Sequence, residues 1–234
     1  MLEIPVQYGY LIGLVVPAVI WAIIYWRRPD SRKEMLILGG MLAIASPVTQ
    51  YLWWSVDWWY PPNLTMTRVG VEDILLGFFA GGMGVLYETL TRHVHVRIPQ
   101  KSRRRQVNAH VLTIGMFVSI YGFVESGVFT SYVSTILILT IGTLVMFYFR
   151  SDLVVESFVS GVLVCIWSLV GYLPIIWLVP GWVEATYNFN YLSGDLLLWV
   201  PIEELIFWFF AGIFFGPVYE YWKFERLRMV QSKR

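Results

Sequence analysis

The chain has 234 residues, of which 57% are apolar, 18% aromatic and 14% charged, with a mean hydropathy of +0.62 and a formal net charge of +1. Soluble domains carry roughly 25% charged residues, so the composition excludes an ordinary water-soluble globule, and the near-zero charge gives no basis for nucleic-acid binding. The single cysteine, Cys165, excludes an internal disulfide and a cysteine-cluster metal site.

The charges cluster between apolar stretches of about 20 residues, the length that crosses roughly 30 Å of hydrocarbon. In chain order the predicted spans are 8–26, 35–55, 71–91, 107–128, 131–149, 154–178 and 198–221. No basic residue precedes Arg27 and no small-residue cleavage pattern follows, so the first run reads as a retained helix and not as a signal peptide. Of the 17 basic residues, 16 fall after spans one, three, five and seven, and only Arg68 lies on the other side. The positive-inside rule then predicts a multi-pass protein of the cell membrane with its N-terminus outside and its C-terminus cytoplasmic. Trp58, Trp59 and Tyr60, and Trp182, Tyr187 and Tyr191, lie in the outer loops, as expected of an interfacial aromatic belt. Asn63 and Thr65 complete a glycosylation sequon, a pattern short enough to arise by chance.

Spans three and seven repeat one another. Glu72, Phe78, Phe79, Ala80 and Gly81 coincide with Glu203, Phe209, Phe210, Ala211 and Gly212, and Asp73 corresponds to Glu204. Tyr87 and Glu88 then match Tyr219 and Glu220 one residue out of step, a slip that a π-bulge or kink near Pro217 would absorb. The expected fold is an all-α integral membrane protein of about seven helices, built as two parallel three-helix repeats, 1–100 and 131–234, joined by a linker span in 101–130. Gly77 with Gly81, and Gly212 with Gly216, form small-residue ridges. Each ridge packs either on the other across a pseudo-two-fold axis or on a neighbour inside its own repeat.

The adjacent acids Glu72 and Asp73, and Glu203 and Glu204, carry the strongest chemical signal. In a low-dielectric site one acid of such a pair holds its proton beside a prospective base, and ionisable groups in spans are functional by default. Against this, acids in a first turn, with Pro201 before them, also make a good helix start. Pro201 pre-sets the second helix, whereas Gly70 leaves the first pair less firmly placed, so the second centre is expected to dominate. Glu88 and Glu220 are explained by snorkelling beside Arg92 and Lys223, Glu156 by an interfacial place near Arg150, and His93 and His95 by solvation in a basic loop; Glu125 is a weak further candidate.

Pro201, Glu203 and Glu204, followed by aromatics, resemble the Pro-x-Glu-[Glu/Asp] motif of the membrane lycopene cyclases, of the heterodimeric and fused archaeal type. The span number and duplication are similar to the fused form; Gly70 departs from the motif, while Glu72 and Asp73 keep its acids. The resemblance implies carotenoid end-group cyclisation without net redox change, with Glu203, Glu204, Glu72 and Asp73 as the acid and base groups and no cofactor or metal. It also implies a long polyene substrate entering from the bilayer; lipid is the surrounding partner and a homo-oligomer is allowed. The rival classes are a non-catalytic carotenoid or lipid-binding protein and a proton-coupled transporter, the latter expected to place acids and broken helices near the midplane. A retinal-binding receptor is excluded, because Lys33, Lys101, Lys223 and Lys233 all lie in loops or the tail.

Overall fold

The structure is a computed structural model that describes residues 4–97, 111, 115, 118, 119 and 122–229. Among these residues, six helical segments are long and apolar enough to cross a membrane: Val6–Arg27, Arg32–Asp57, Val71–Thr91, Ser131–Phe149, Ser151–Leu178 and Ile202–Lys223. They coincide with six of the seven predicted spans, and the protein is an all-α membrane protein. The remaining predicted span, 107–128, lies largely outside the described residues; Gly122 to Glu125 within it are helical.

Helix α1 (Gly9–Arg27) contains Pro17, and α2 (Arg32–Thr49) contains Pro47, just before a π-helical turn at Gln50–Trp54. Proline removes a ladder donor, and the wider turn that follows carries Trp54 and Trp58 towards the molecular centre. The third span is broken into α3 (Val71–Gly81) and α4 (Leu86–Thr91), followed by β1 (His93–Arg97). The second half runs through α5 (Ser131–Phe149) and α6 (Val154–Leu178), then a hairpin of β2 (Leu196–Leu197) with β3 (Val200–Pro201). The last span is also broken, into α7 (Ile202–Phe215) and α8 (Val218–Lys223), before β4 (Glu225–Met229). Of the two ways expected to absorb the slip near Pro217, the structure has the break at the proline and not a π-bulge.

The glycine ridges pack within their own halves. A Cβ on Gly81 would strike the backbone of Leu38 and Gly39 in α2, and one on Gly212 would lie 2.7 Å from the Ser160 carbonyl and 2.8 Å from the Gly161 Cα in α6. This is the second of the two arrangements open from sequence. Across the halves, Asp57 accepts hydrogen bonds from the Ser131 backbone N–H and hydroxyl. At the opposite end β1 pairs antiparallel with β4, His95 standing opposite Leu227. Arg92 and Phe224, the left-handed residues that end α4 and α8 with φ 56° in both, turn the chain into these strands. Apolar side chains such as Val19, Ile44, Leu144, Phe158 and Ile166 remain exposed around the bundle, as a lipid-facing surface requires.

Candidate active site

The two acid pairs begin equivalent helices but are used differently, and the difference starts at the residue before each helix. Gly70 precedes α3, and its backbone N–H donates to Asp73 Oδ2 at 2.7 Å, the reach-back from the third helical position that closes a capping box. Asp73 Oδ1 takes a second hydrogen bond from the Tyr10 hydroxyl at 3.1 Å. Pro201 precedes α7 and has no N–H to offer, so Glu204 cannot fold back in that way. One methylene longer than aspartate, it turns into the bundle, where Oε1 accepts from the Tyr172 hydroxyl at 2.9 Å and the Trp208 indole N–H at 2.7 Å. Tyr172 is in turn hydrogen-bonded to the Tyr187 hydroxyl.

The first acid of each pair faces the other way. Glu72 Oε1 accepts from the Leu64 backbone N–H at 2.8 Å, and Glu203 Oε1 from the Ser193 backbone N–H at 2.6 Å. Each pins the loop that leads into its own helix. Both are buried, at 0% and 8% exposure, and the second oxygen of each has no hydrogen-bond partner. Gly70 is needed for this packing, since a Cβ there would come within 2.5 Å of Glu72 Oε2 and 2.9 Å of the Asn63 amide carbon. Its amide also holds Asp73, so the first pair is firmly placed, contrary to the expectation from sequence.

Glu204 borders an apolar cavity of about 370 Å³, lined by Leu42, Ala45, Thr135, Leu139 and Phe214 among others, and it is the one charged side chain among the described lining residues. The lining continues along the last span to Tyr221 and Trp222, roughly 25 Å from Glu204 at 1.5 Å per residue. Aromatic rings crowd its acidic end. Trp54, Trp58 and Phe207 stand edge to face with centroids 5.0–5.7 Å apart, and Trp208 adjoins Phe207 at 5.1 Å. Beside them the segments that follow the second and fifth described spans are joined by backbone hydrogen bonds, Tyr60 N–H to the Thr186 carbonyl at 2.8 Å and Asn188 N–H to the Trp58 carbonyl at 3.0 Å. Glu204 itself is 3% exposed.

Residues 129–222 match the family model described as lycopene cyclase. Over that segment, 94 of the 234 residues, the chain is similar to the lycopene cyclase family. No curated protein and no solved structure matches the chain. The matched segment contains Pro201, Glu203 and Glu204 together with Tyr172, Trp208 and the aromatic residue Phe207; Glu72 and Asp73 lie outside it.

Of the four predicted site residues, only Glu204 lines the large cavity. A smaller cavity of about 40 Å³ is also lined by Glu204 and by Tyr10, whose hydroxyl donates to Asp73. The two inward acids thus approach a common region, with Asp73 behind Tyr10. Glu72 and Glu203 anchor loops. Tyr10 and Tyr172 went unnoticed in the sequence, and Trp208 stood among several aromatics beside the acids with none singled out, because aromatic residues are abundant in every span.

The end of the bundle remote from the acid pairs departs furthest from expectation. Glu88 and Glu220 are 0% exposed and do not snorkel; Glu156, at 5%, is not interfacial; and His95 is drawn under the bundle by β1 instead of being solvated. His95 Nε2 lies 2.9 Å from Glu88 Oε1 and 3.0 Å from Glu34 Oε2, and its Nδ1 lies 3.3 Å from Glu220 Oε1. Burial alone would lower the imidazole's pKa, but Glu88 first, then Glu220 and Glu225, outweigh it and raise it to about 9. Arg28 reaches Asp30, Glu88 and the His93 carbonyl, while Arg150 reaches Asp152 and the carbonyls of Glu220 and Glu225. Arg28, Asp30, Glu34 and Gly39 recur as Arg150, Asp152, Glu156 and Gly161 at a constant offset of 122 residues, a signal that a comparison of spans two and six would have exposed. Asn63 of the sequon is 1% exposed and hydrogen-bonds Thr65 and Thr67, so it is structural and closed to glycosylation.

Proposed function

We propose that this protein is a carotenoid end-group cyclase in which Glu204 is the proton donor. The observation that carries the reading is a long apolar cavity bordered by one carboxyl group beneath a cage of aromatic rings. The Glu204 carboxyl gives its proton to the terminal double bond of a linear polyene, leaving a tertiary carbocation. The next double bond attacks it, forming the ring carbon–carbon bond and moving the positive charge onto the ring. Loss of a proton to the Glu204 carboxylate restores a double bond, so one proton enters, one leaves and no oxidant is needed. Tyr172 and Trp208 hold the carboxylate between the two transfers, the rings of Trp54, Trp58 and Phe207 face the cation, and the joined loops deny it water.

The polyene enters from the bilayer, its apolar length matching the cavity. Helix breaks one turn before Glu88 and Glu220 are features a transporter would share, but the apolar lining favours an apolar guest over an ion. The one-sided distribution of basic residues supports a cytoplasmic C-terminus and outer-leaflet placement of Glu204.

The test is expression in a lycopene-accumulating bacterium, with a C-terminal reporter that is active only outside the cytoplasm and expected to stay silent. Wild-type protein should yield ionone-ring pigment, and Glu204→Gln should lower the rate by roughly 10²-fold or more. Asp73→Asn and Glu203→Gln, at equal membrane abundance, should lose less. Absence of ring product from every linear carotene supplied, with pigment still bound to the purified protein, would establish the binding-protein alternative instead.

A further inference from the structure

At the end of the bundle remote from Glu204, carboxylates from three separate elements and one imidazole converge. Glu34 of α2, Glu88 of α4, His95 of β1 and Glu220 of α8 each offer a ligand atom, and these atoms all lie within 4.8 Å of one another. The three glutamates are at most 1% exposed. Both carboxylate oxygens of Glu34, both of Glu220, and Glu88 Oε1 are buried with no hydrogen-bond partner, as are both nitrogens of His95. Several of these atoms stand 2.9–3.3 Å apart as charged contacts between His95 and the glutamates. One such atom from each of the four residues converges on a shared centre.

Buried charges in proteins are paired or coordinate metals. Local cations do not balance this group: a single imidazole, His95, faces three carboxylates, Arg28 touches Glu88 but is bound to Asp30, and Arg150 is spent on Asp152 and two backbone carbonyls. We propose that Glu34, Glu88, His95 and Glu220 bind a divalent transition-metal ion of the Mn²⁺, Fe²⁺ or Zn²⁺ class. Three carboxylates with one imidazole suit those ions; all-oxygen shells belong to Ca²⁺ and Mg²⁺, and thiolates to softer metals. Carboxylate and imidazole ligands sit about 2.0–2.2 Å from such an ion, so donors opposite one another lie about 4.0–4.4 Å apart, and the observed spread of up to 4.8 Å needs a contraction of a few tenths of an ångström.

The supporting contacts are already in place. Glu88 Oε2 accepts from the Ser31 hydroxyl at 2.8 Å and from Arg28 at 3.2 Å, which turns Oε1 towards the centre. Such outer contacts fix ligand orientation. Gly84 leaves room for the Glu34 carboxylate, since a Cβ there would stand 3.1 Å from its Oε1. Three ligands come from the first half and Glu220 from the second, so the ion clamps the halves together. It lies roughly 24 Å along the last span from Glu204, too far to touch the reacting bonds.

The experiment takes the full chain, purified in detergent from cells supplied with manganese, iron and zinc, and measures bound metal by elemental mass spectrometry. Thermal unfolding is followed after chelation and after adding back Mn²⁺, Fe²⁺ or Zn²⁺. Near-stoichiometric metal, a fall in Tm on chelation and its recovery with one of the ions are expected. Glu34→Gln and Glu220→Gln should weaken binding roughly tenfold or more, while Glu184→Gln in the exposed outer turn leaves it unchanged. Wild-type protein with neither bound metal nor a Tm response to any of the three ions overturns the proposal, whatever the variants do. Metal retained equally in Glu34→Gln and Glu220→Gln also overturns it. Neither result depends on pigment conversion, so failure here is distinct from failure of the cyclase reading.

Discussion

One atom separates the two acid pairs. The amide proton that Gly70 has and Pro201 lacks decides whether the carboxylate three residues on is spent capping a helix or turned into the cavity. Restoring that proton should cost function without disturbing packing: Pro201→Ala keeps a compatible backbone, with φ −55° and ψ 134°, but allows Glu204 to reach back as Asp73 does. Ring product per unit of membrane protein is expected to fall several-fold, with thermal stability equal to or above wild type. Unchanged turnover would show that the cap does not compete for Glu204. Sequence reasoning named all four acids as candidates and expected the proline copy to dominate. It attributed this to helix stiffness, because a missing donor is visible only once the opposite carboxylate is seen using its counterpart.

At the scale of elements, six of the spans were legible because crossing hydrocarbon needs a long apolar run, which survives any detail of packing. The breaks at 82–85 and at Gly216 and Pro217 were legible only as a register slip. The glycines were readable as ridges, but not which neighbour they meet, since the same small faces fit either partner. Their contacts now distinguish adjacent residues. A Cβ on Gly39 would lie 2.9 Å from the Phe78 carbonyl and 3.2 Å from its ring, whereas Gly40 has nothing within 4 Å. Gly39→Ala should therefore destabilise the fold by about 1–3 kcal/mol through overpacking, while Gly40→Ala is neutral or slightly stabilising. Thermal unfolding of the two variants in one detergent tests the contrast; equal Tm values would contradict the close approach of α2 and α3.

For the whole molecule, the least legible part was the acidic cluster, because its members are separated by up to 186 residues and come together only through helix packing and strand pairing. Glu34, Glu88 and Glu220 each look interfacial when read against their own neighbours in sequence. Their burial follows from β1 and β4, which draw His95 beneath the ends of the helices. Oppositely, the large cavity depends on contributions from both halves, Leu42 and Trp58 from one and Glu204 and Phe207 from the other. The matched family segment supplies the acid, and the first half supplies much of the wall.

Pairing of β1 with β4, with Asp57 holding Ser131 at the far side, means that the halves are joined by contacts that do not require a continuous chain. A gene cut between the codons for Gln100 and Lys101 should still give a working protein when both pieces are made in one cell. Neither piece alone should make ring product, since neither encloses the cavity. Co-purification of a tagged first piece with the second, and restored pigment, are the expected results; pieces that insert but never associate would show that covalent continuity is essential. The strand pair would then be a seam at which two genes and one gene encode the same molecule.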